Sequence, residues 1–215
     1  MRLLAIAFPV SAFQGQCGSA FLYAAVATLE AAWEISGNPL TELSLQELID
    51  CIPNAGGCSG GEINVEAIMD FVQKHGLCSA AAYPSTGTQG KCGQAACTPT
   101  IPAGWVHNAT LVTPNSNGAM LEAVATTVVA VAVDADPLQF YTSGVFTGPC
   151  ADTVDHALAV VGYGTSLSGT DYWFLKNSWG TSWGMSGYLQ LGRALPANQP
   201  SGLCGVLSAG SYPGH

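Results

Sequence analysis

In the first third of the chain, apolar residues recur every three to four positions. From Ala20 to Ile35, Phe21, Ala24, Ala25, Thr28, Leu29 and Trp33 share one helical face, and Gly37 stands where a helix closes. Ser44 followed by Glu47 has the capping-box pattern, which opens a short helix with Leu45, Leu48 and Ile49 turned inward. The spacing predicts a third helix over Glu62–His75, burying Ile63, Ala67, Ile68 and Phe71, with Lys74 and His75 in its last turn and Gly76 beyond. Residues 77–116 lose this period and are rich in Gly, Pro, Ser and Thr. After them come short β-type runs between Gly-rich turns, at Val128–Val133, Ala157–Tyr163, Tyr172–Asn177 and Tyr188–Leu191. No repeat, low-complexity tract or linker interrupts the chain. A helical first half and a strand-rich second half predict an α+β protein of two subdomains packed side by side, with a ligand cleft between them.

Composition narrows the function classes. The 215 residues are 48% apolar, enough for a full core and against intrinsic disorder. Only 9% are charged, against roughly 25% in an ordinary soluble domain. Five basic residues face fourteen acidic ones, for a net charge of −9, so nucleic acid and anionic membrane surfaces are not expected partners. The mean hydropathy of +0.31 raises the question of a membrane span. No run of about 18 apolar residues answers it, and Ala20–Leu29 and Val128–Val133 are read as a buried helix and a buried strand. Met1-Arg2 before Leu3–Val10 has the charge-then-apolar look of a secretory signal, with Ala5-Ile6-Ala7 mimicking a cleavage site, but it is too short to be one. It is read as the truncated start of a mature domain, with a segment missing upstream.

Eight cysteines, at 17, 51, 58, 78, 92, 97, 150 and 204, point to disulfides and to a secreted or a lysosome- or vacuole-like acidic compartment. Zinc fails on spacing, because no Cys-x-x-Cys pair occurs and His75-x-x-Cys78 stands alone. Eight cysteines allow 105 pairings, so sequence spacing leaves the connectivity open. Asn108-Ala109-Thr110 is a glycosylation acceptor triplet.

Three segments carry chemistry: Gln14-Gly15-Gln16-Cys17-Gly18-Ser19-Ala20-Phe21 at the start of the first helix, Val154-Asp155-His156-Ala157 entering a strand, and Lys176-Asn177-Ser178-Trp179-Gly180 leaving one. Together they closely resemble the papain/cathepsin family of cysteine proteases. That family's signature is Cys-Gly-(Ser/Ala)-Cys-(Trp/Tyr), with His and Asn some 130–150 residues on. The likeness extends from about Pro9 to Pro213 through Gly57-Cys58-Ser59-Gly60-Gly61, Gly144-Val145-Phe146, Val161-Gly162-Tyr163-Gly164, Trp183-Gly184 and Gly187-Tyr188.

The resemblance implies a papain-like fold, with a helical left half, an antiparallel β-barrel-like right half and the active-site cleft between them. The helical subdomain is expected over 10–104 with a C-terminal strap at 210–215, and the β-rich subdomain over 105–209 with an N-terminal strap at 1–9. It implies peptide-bond hydrolysis by a thiolate at the first helix's N-terminus, kept ionised by the helix dipole and an imidazolium. His156 matches the imidazole, Asn177 the amide that orients it, Trp179 the indole shielding that bond, and Gln14 the side-chain donor of the oxyanion hole. Gly60 and Gly61 match the backbone that receives an extended substrate. The pocket for the side chain two residues before the cut matches Ile63, Ala132, Ala157 and Ala209, with Glu62 at its rim and Asp155 beside His156. This small apolar pocket is expected to prefer Val, Leu or Phe, with no acid at its floor for Arg.

The nucleophile's place holds Ala20, a methyl group with no lone pair. Cys17 matches a disulfide cysteine and Ser19 the residue before the nucleophile, so neither replaces it. The chain is therefore expected to bind peptides without cutting them. Two origins fit. The kept Gln14, His156 and Asn177 favour a working parent silenced at one position, while the odd N-terminus and Phe21, where the signature has Trp or Tyr, favour a natural non-catalytic peptide- or inhibitor-binding relative. The resemblance further implies bridges Cys17–Cys58, Cys51–Cys92 and Cys150–Cys204, leaving Cys78–Cys97 as a fourth. It implies no cofactor and no metal, a monomer, a longer precursor, and partners that are peptide or protein substrates and cystatin-like or pro-segment inhibitors. Gly57–Gly61 lacks the Lys-Ser/Thr of a phosphate cradle, and His75, His107 and His215 are read as surface or terminal residues.

Overall fold

The computed structural model describes residues 2–3 (as backbone), 17–52, 58, 65–93, 97–151, 153–193 and 199–215. The N-terminal residues with a signal-like pattern, apart from the backbone of 2–3, and Gln14, Gly60, Gly61, Glu62 and Ile63 lie outside the described residues. In chain order the elements are β1 (Arg2–Leu3), α1 (Ala20–Ile35), α2 (Leu45–Cys51), α3 (Val65–His75), β2 (Asn108–Val112), α4 (Asn117–Val124), β3 (Val129–Val133), β4 (Val145–Phe146), β5 (His156–Thr165), β6 (Asp171–Lys176), β7 (Tyr188–Gly192) and β8 (Gly210–Gly214).

α1 runs over the predicted residues but is buried almost all round, with Leu22 and Ala24 through Ala32 inside. The single-face reading is corrected by what lies on each side. Leu22, Val26 and Leu29 join Leu48, Ile68, Phe71 and Val72 in the helical core. Ala27 and Ala31 lie against Val128, Ala159 and Val161, and Ala24 lies against Ala130 and Ala157. Alanine on that side lets the helix sit close to β3 and β5. Thr28 satisfies its buried hydroxyl by donating to the Ala25 carbonyl.

The strands form one open path, β2-β8-β3-β5-β6-β7-β4, with β1 paired to β5. The sheet is not closed into a barrel, and it is mixed, because β4 runs parallel to β7. Val131, Val133, Leu158, Val160, Trp173, Leu175, Leu189 and Leu191 fill the core on this side. Residues 77–116 are not irregular throughout: β2 lies in their last part and pairs antiparallel with β8.

Ser44 accepts from the Glu47 N–H as a capping residue should. The reciprocal half of the box is absent. Glu47 instead accepts from the Cys78 N–H at 2.8 Å, and the Ser44 N–H donates to the Cys78 carbonyl. The box thereby anchors the next loop. At the end of α3, Gly76 has φ +75°, and a Cβ there would collide with the Ile101 carbonyl, so glycine is required. The bridges are Cys17–Cys58, Cys51–Cys92, Cys78–Cys97 and Cys150–Cys204.

Candidate active site

His156 opens β5 opposite Val133. The preceding residue is fixed twice: the Asp155 N–H donates to the Val133 carbonyl, and the Asp155 carboxylate accepts from the Ala135 N–H at 2.9 Å. Asn177 follows the last residue of β6, and its N–H donates to the Gly187 carbonyl. Because β5 and β6 pair antiparallel, the start of one and the end of the other meet. His156 Nε2 lies 2.9 Å from Asn177 Oδ1. That oxygen also accepts from the Ser178 N–H at 2.8 Å, which identifies it as the amide oxygen. Nε2 therefore carries the hydrogen and Nδ1 is the ring's basic nitrogen.

Trp179 stacks on the imidazole with ring centroids 4.9 Å apart. Trp183 meets Trp179 edge-on at 5.1 Å, pinned by its indole N–H to the Leu138 carbonyl. An aromatic ring stacked beside a hydrogen bond can limit its access to water, and a lower local dielectric strengthens such a bond. Burial pushes the imidazole's pKa down, opposed by the Asn177 hydrogen bond and the Asp155 charge. Trp183 is partly buried against the sheet's core, and nothing in its sequence pattern marks its place beside the stacking ring.

Ala20 is the first residue of α1. Ser19 does not cap the helix, its hydroxyl donating instead to the Cys17 carbonyl. The helix's positive end is thus left without an acidic or hydroxyl cap at residue 20. One turn on, Ala24 packs with Ala157, the neighbour of His156. This brings the helix terminus to the His156 end of β5.

Two cavities divide the remaining predicted residues. Ala132 and Ala209 line one of about 450 Å3 together with Phe21. Ala157, although paired with Ala132 across the sheet, lines the other, of about 260 Å3, with Asn177, Glu30 and Lys176. In that cavity Glu30 accepts from the Leu43 N–H, and burial raises its carboxyl to about 7, with Lys176 pulling it down. Burial lowers Lys176, while Glu30 and Glu42 hold it up. The signal for Glu30 is an acid set among apolar residues in the middle of α1, whose other acid, Glu34, stands near its end. Asn108 is exposed at the start of β2. Asp134, Asp136 and Asp155 cluster near His156, but Asp134 and Asp155 spend their carboxylates on backbone N–H groups.

The arrangement supplies an imidazole oriented by Asn177 and stacked under Trp179, whose unprotonated nitrogen can exchange a proton, near a helix N-terminus able to stabilise an anion. Residue 20 offers nothing to ionise.

The chain is 40% identical over 204 residues to vignain of Ricinus communis, covering 93% of this chain and 55% of that protein. It is 38% identical over 207 residues to the senescence-specific cysteine protease SAG12 of Arabidopsis thaliana. The chain thus spans about half the length of the relatives it matches. Among solved structures, the bromelain protease of Ananas comosus in complex with the E64 inhibitor superposes with a TM-score of 0.88 at 34% identity, over 96% of this chain and 94% of that one. The proform of the ragweed pollen allergen Amb a 11 gives 0.87 at 35% identity, over 96% of this chain and 62% of that one. The family described as papain family cysteine protease matches residues 7–213, and by that match, the shared fold and these relatives the chain belongs to the papain family of cysteine proteases.

Proposed function

We propose that this chain is a papain-type cysteine endopeptidase scaffold that binds peptides in the cleft between its halves and is silent because Ala20 occupies the nucleophile position. The observation that carries this reading is the His156 Nε2–Asn177 Oδ1 bond at 2.9 Å under Trp179, beside an α1 that begins at Ala20. In a working site of this type a thiolate at residue 20 attacks the peptide carbonyl, and the leaving amine takes its proton from His156. Gln14 and the residue-20 N–H would receive the oxyanion. Gly60 and Gly61 would take the substrate backbone, with Glu62, Ile63, Asp155 and Ala157 around it and Ala132 and Ala209 in the side-chain subsite. With a methyl at residue 20 only binding is left. The subdomains are assigned to 10–104 and 105–209, with straps at 210–215 and 1–9.

The four bridges support synthesis in an oxidising route, secreted or vacuolar, and one relative is named a KDEL-tailed cysteine endopeptidase. The matched proforms support a pro-segment as a partner. A mixture of unstructured peptides incubated with the chain at pH 5.5 tests the reading. The expected result is saturable binding with every peptide recovered intact by mass spectrometry. Cleavage by the chain as it stands, or no binding, overturns it.

A further inference from the structure

Within the cleft proposed above, the cavity beside Ala132 and Ala209 is longer than a small apolar subsite requires. Its wall crosses three adjacent strands, from Ala132 on β3 past Ala209, just before β8, to Leu111 and Val112 on β2. At strand spacings of about 4.8 Å this is a span of about 10 Å, which a leucine leaves largely empty and which the whole length of an extended Lys or Arg side chain, head group included, comes nearer to filling. α3 packs against β2, and its first turn adds Val65 and Glu66 to the lining, Glu66 being the one ionisable group among the described residues that line the cavity. Among the described residues no ion pair engages Glu66, the two present joining Lys74 to Asp70 and Arg193 to Asp171.

From this we infer that Glu66 makes the cavity a subsite for a basic side chain. The aliphatic stem of Lys or Arg lies along Phe21, Ala132 and Leu111, and its cationic head meets the Glu66 carboxylate. Leu111, 64% exposed, supplies apolar surface that a short substrate side chain would not reach. The net charge of −9 favours the approach of cationic peptides. This differs from the preference for Val, Leu or Phe that the resemblance implies, because Glu66 is not among the positions matched to the family's pocket. The inference rests on the peptide-binding reading of the cleft.

The test is fluorescence anisotropy of labelled hexapeptides on the chain as it exists, at neutral pH. One peptide has Arg two residues before the central bond, one has Leu there, and a third keeps Leu and carries Arg at its C-terminus. The expected result is about tenfold tighter binding of the first than of the other two. In Glu66→Gln, or in 0.5 M salt, that advantage should fall to near parity. An Arg advantage unchanged by Glu66→Gln, or a Leu peptide that binds tighter, overturns the assignment of Glu66. Failure of all three peptides to bind overturns the peptide-cleft reading itself, and this inference with it.

Discussion

Asn177 holds His156 by a single short contact, Nε2 to Oδ1 at 2.9 Å, and the same amide oxygen is fixed in turn by the Ser178 N–H. The ring is thereby set in one tautomer with Nδ1 free. Replacing the amide should leave the fold intact and cost orientation. In the Ala20→Cys background, Asn177→Ala should lower kcat/KM about 10²-fold, mostly in kcat. Steady-state kinetics on a peptide substrate measures this, and a change of less than threefold would show that Trp179 and Trp183 alone suffice to orient the ring.

The charge state of His156 follows from its surroundings. Burial disfavours the imidazolium more than Asn177 and Asp155 favour it, so the ring should titrate below its ordinary value of 6.5. A thiolate one bond from residue 20's Cβ adds a negative charge beside the ring and should move the titration upward. NMR titration of His156 in the chain and in Ala20→Cys checks the sign. A downward or absent shift would place residue 20 out of reach of the imidazole.

Glu30 makes stability depend on pH. Burial raises its folded-state carboxyl from 4.5 to about 7, against the opposing pull of Lys176 and the Leu43 N–H, with Glu42 pushing the same way as burial. Folding therefore favours the protonated form. The contribution is whole below about pH 4.5 and is lost as pH rises through about 7. Denaturant unfolding should show the chain less stable at pH 8 than at pH 5 by about 2 kcal/mol. Glu30→Gln keeps an acceptor for the Leu43 N–H and should flatten that slope. An unchanged slope would assign it to other groups.

The bridge Cys78–Cys97 closes a loop with a sequence separation of 19 in a region of little regular structure. Cys78 is fully buried, with its N–H on Glu47. Changing both cysteines to alanine should cost about 3 kcal/mol by loop-closure entropy. Guanidinium unfolding reads the loss directly, and a cost under about 1 kcal/mol would mean that the Glu47 anchor alone holds the loop.

Particular elements show what the sequence made legible. α1 was visible end to end because its apolar density is high, yet that same density hid which side faces what. Only the structure divides Leu22, Val26 and Leu29 from Ala24, Ala27 and Ala31. β3, β5, β6 and β7 were visible because their buried β-branched and aromatic runs are bounded by turns. β8 was not, since Gly210-Ser211-Tyr212-Pro213-Gly214 has no strand pattern and becomes extended by pairing with β2 and β3. β2 buries only Val112, so no alternation marks it. His156, Asn177 and Trp179 were legible as motifs, and the structure brings them together. Glu66 was not, because nothing in a helix's first turn says which cavity it will face.

Restoring the missing atom tests the central claim. Hydrolysis of a fluorogenic peptide would be followed for the chain and for Ala20→Cys at about pH 5.5 in reductant. The account predicts turnover by the cysteine variant only, faster by up to about 10⁶-fold and abolished by a thiol-alkylating reagent. A folded Ala20→Cys variant that binds the peptide but does not turn it over would contradict the claim that Ala20 alone silences the site.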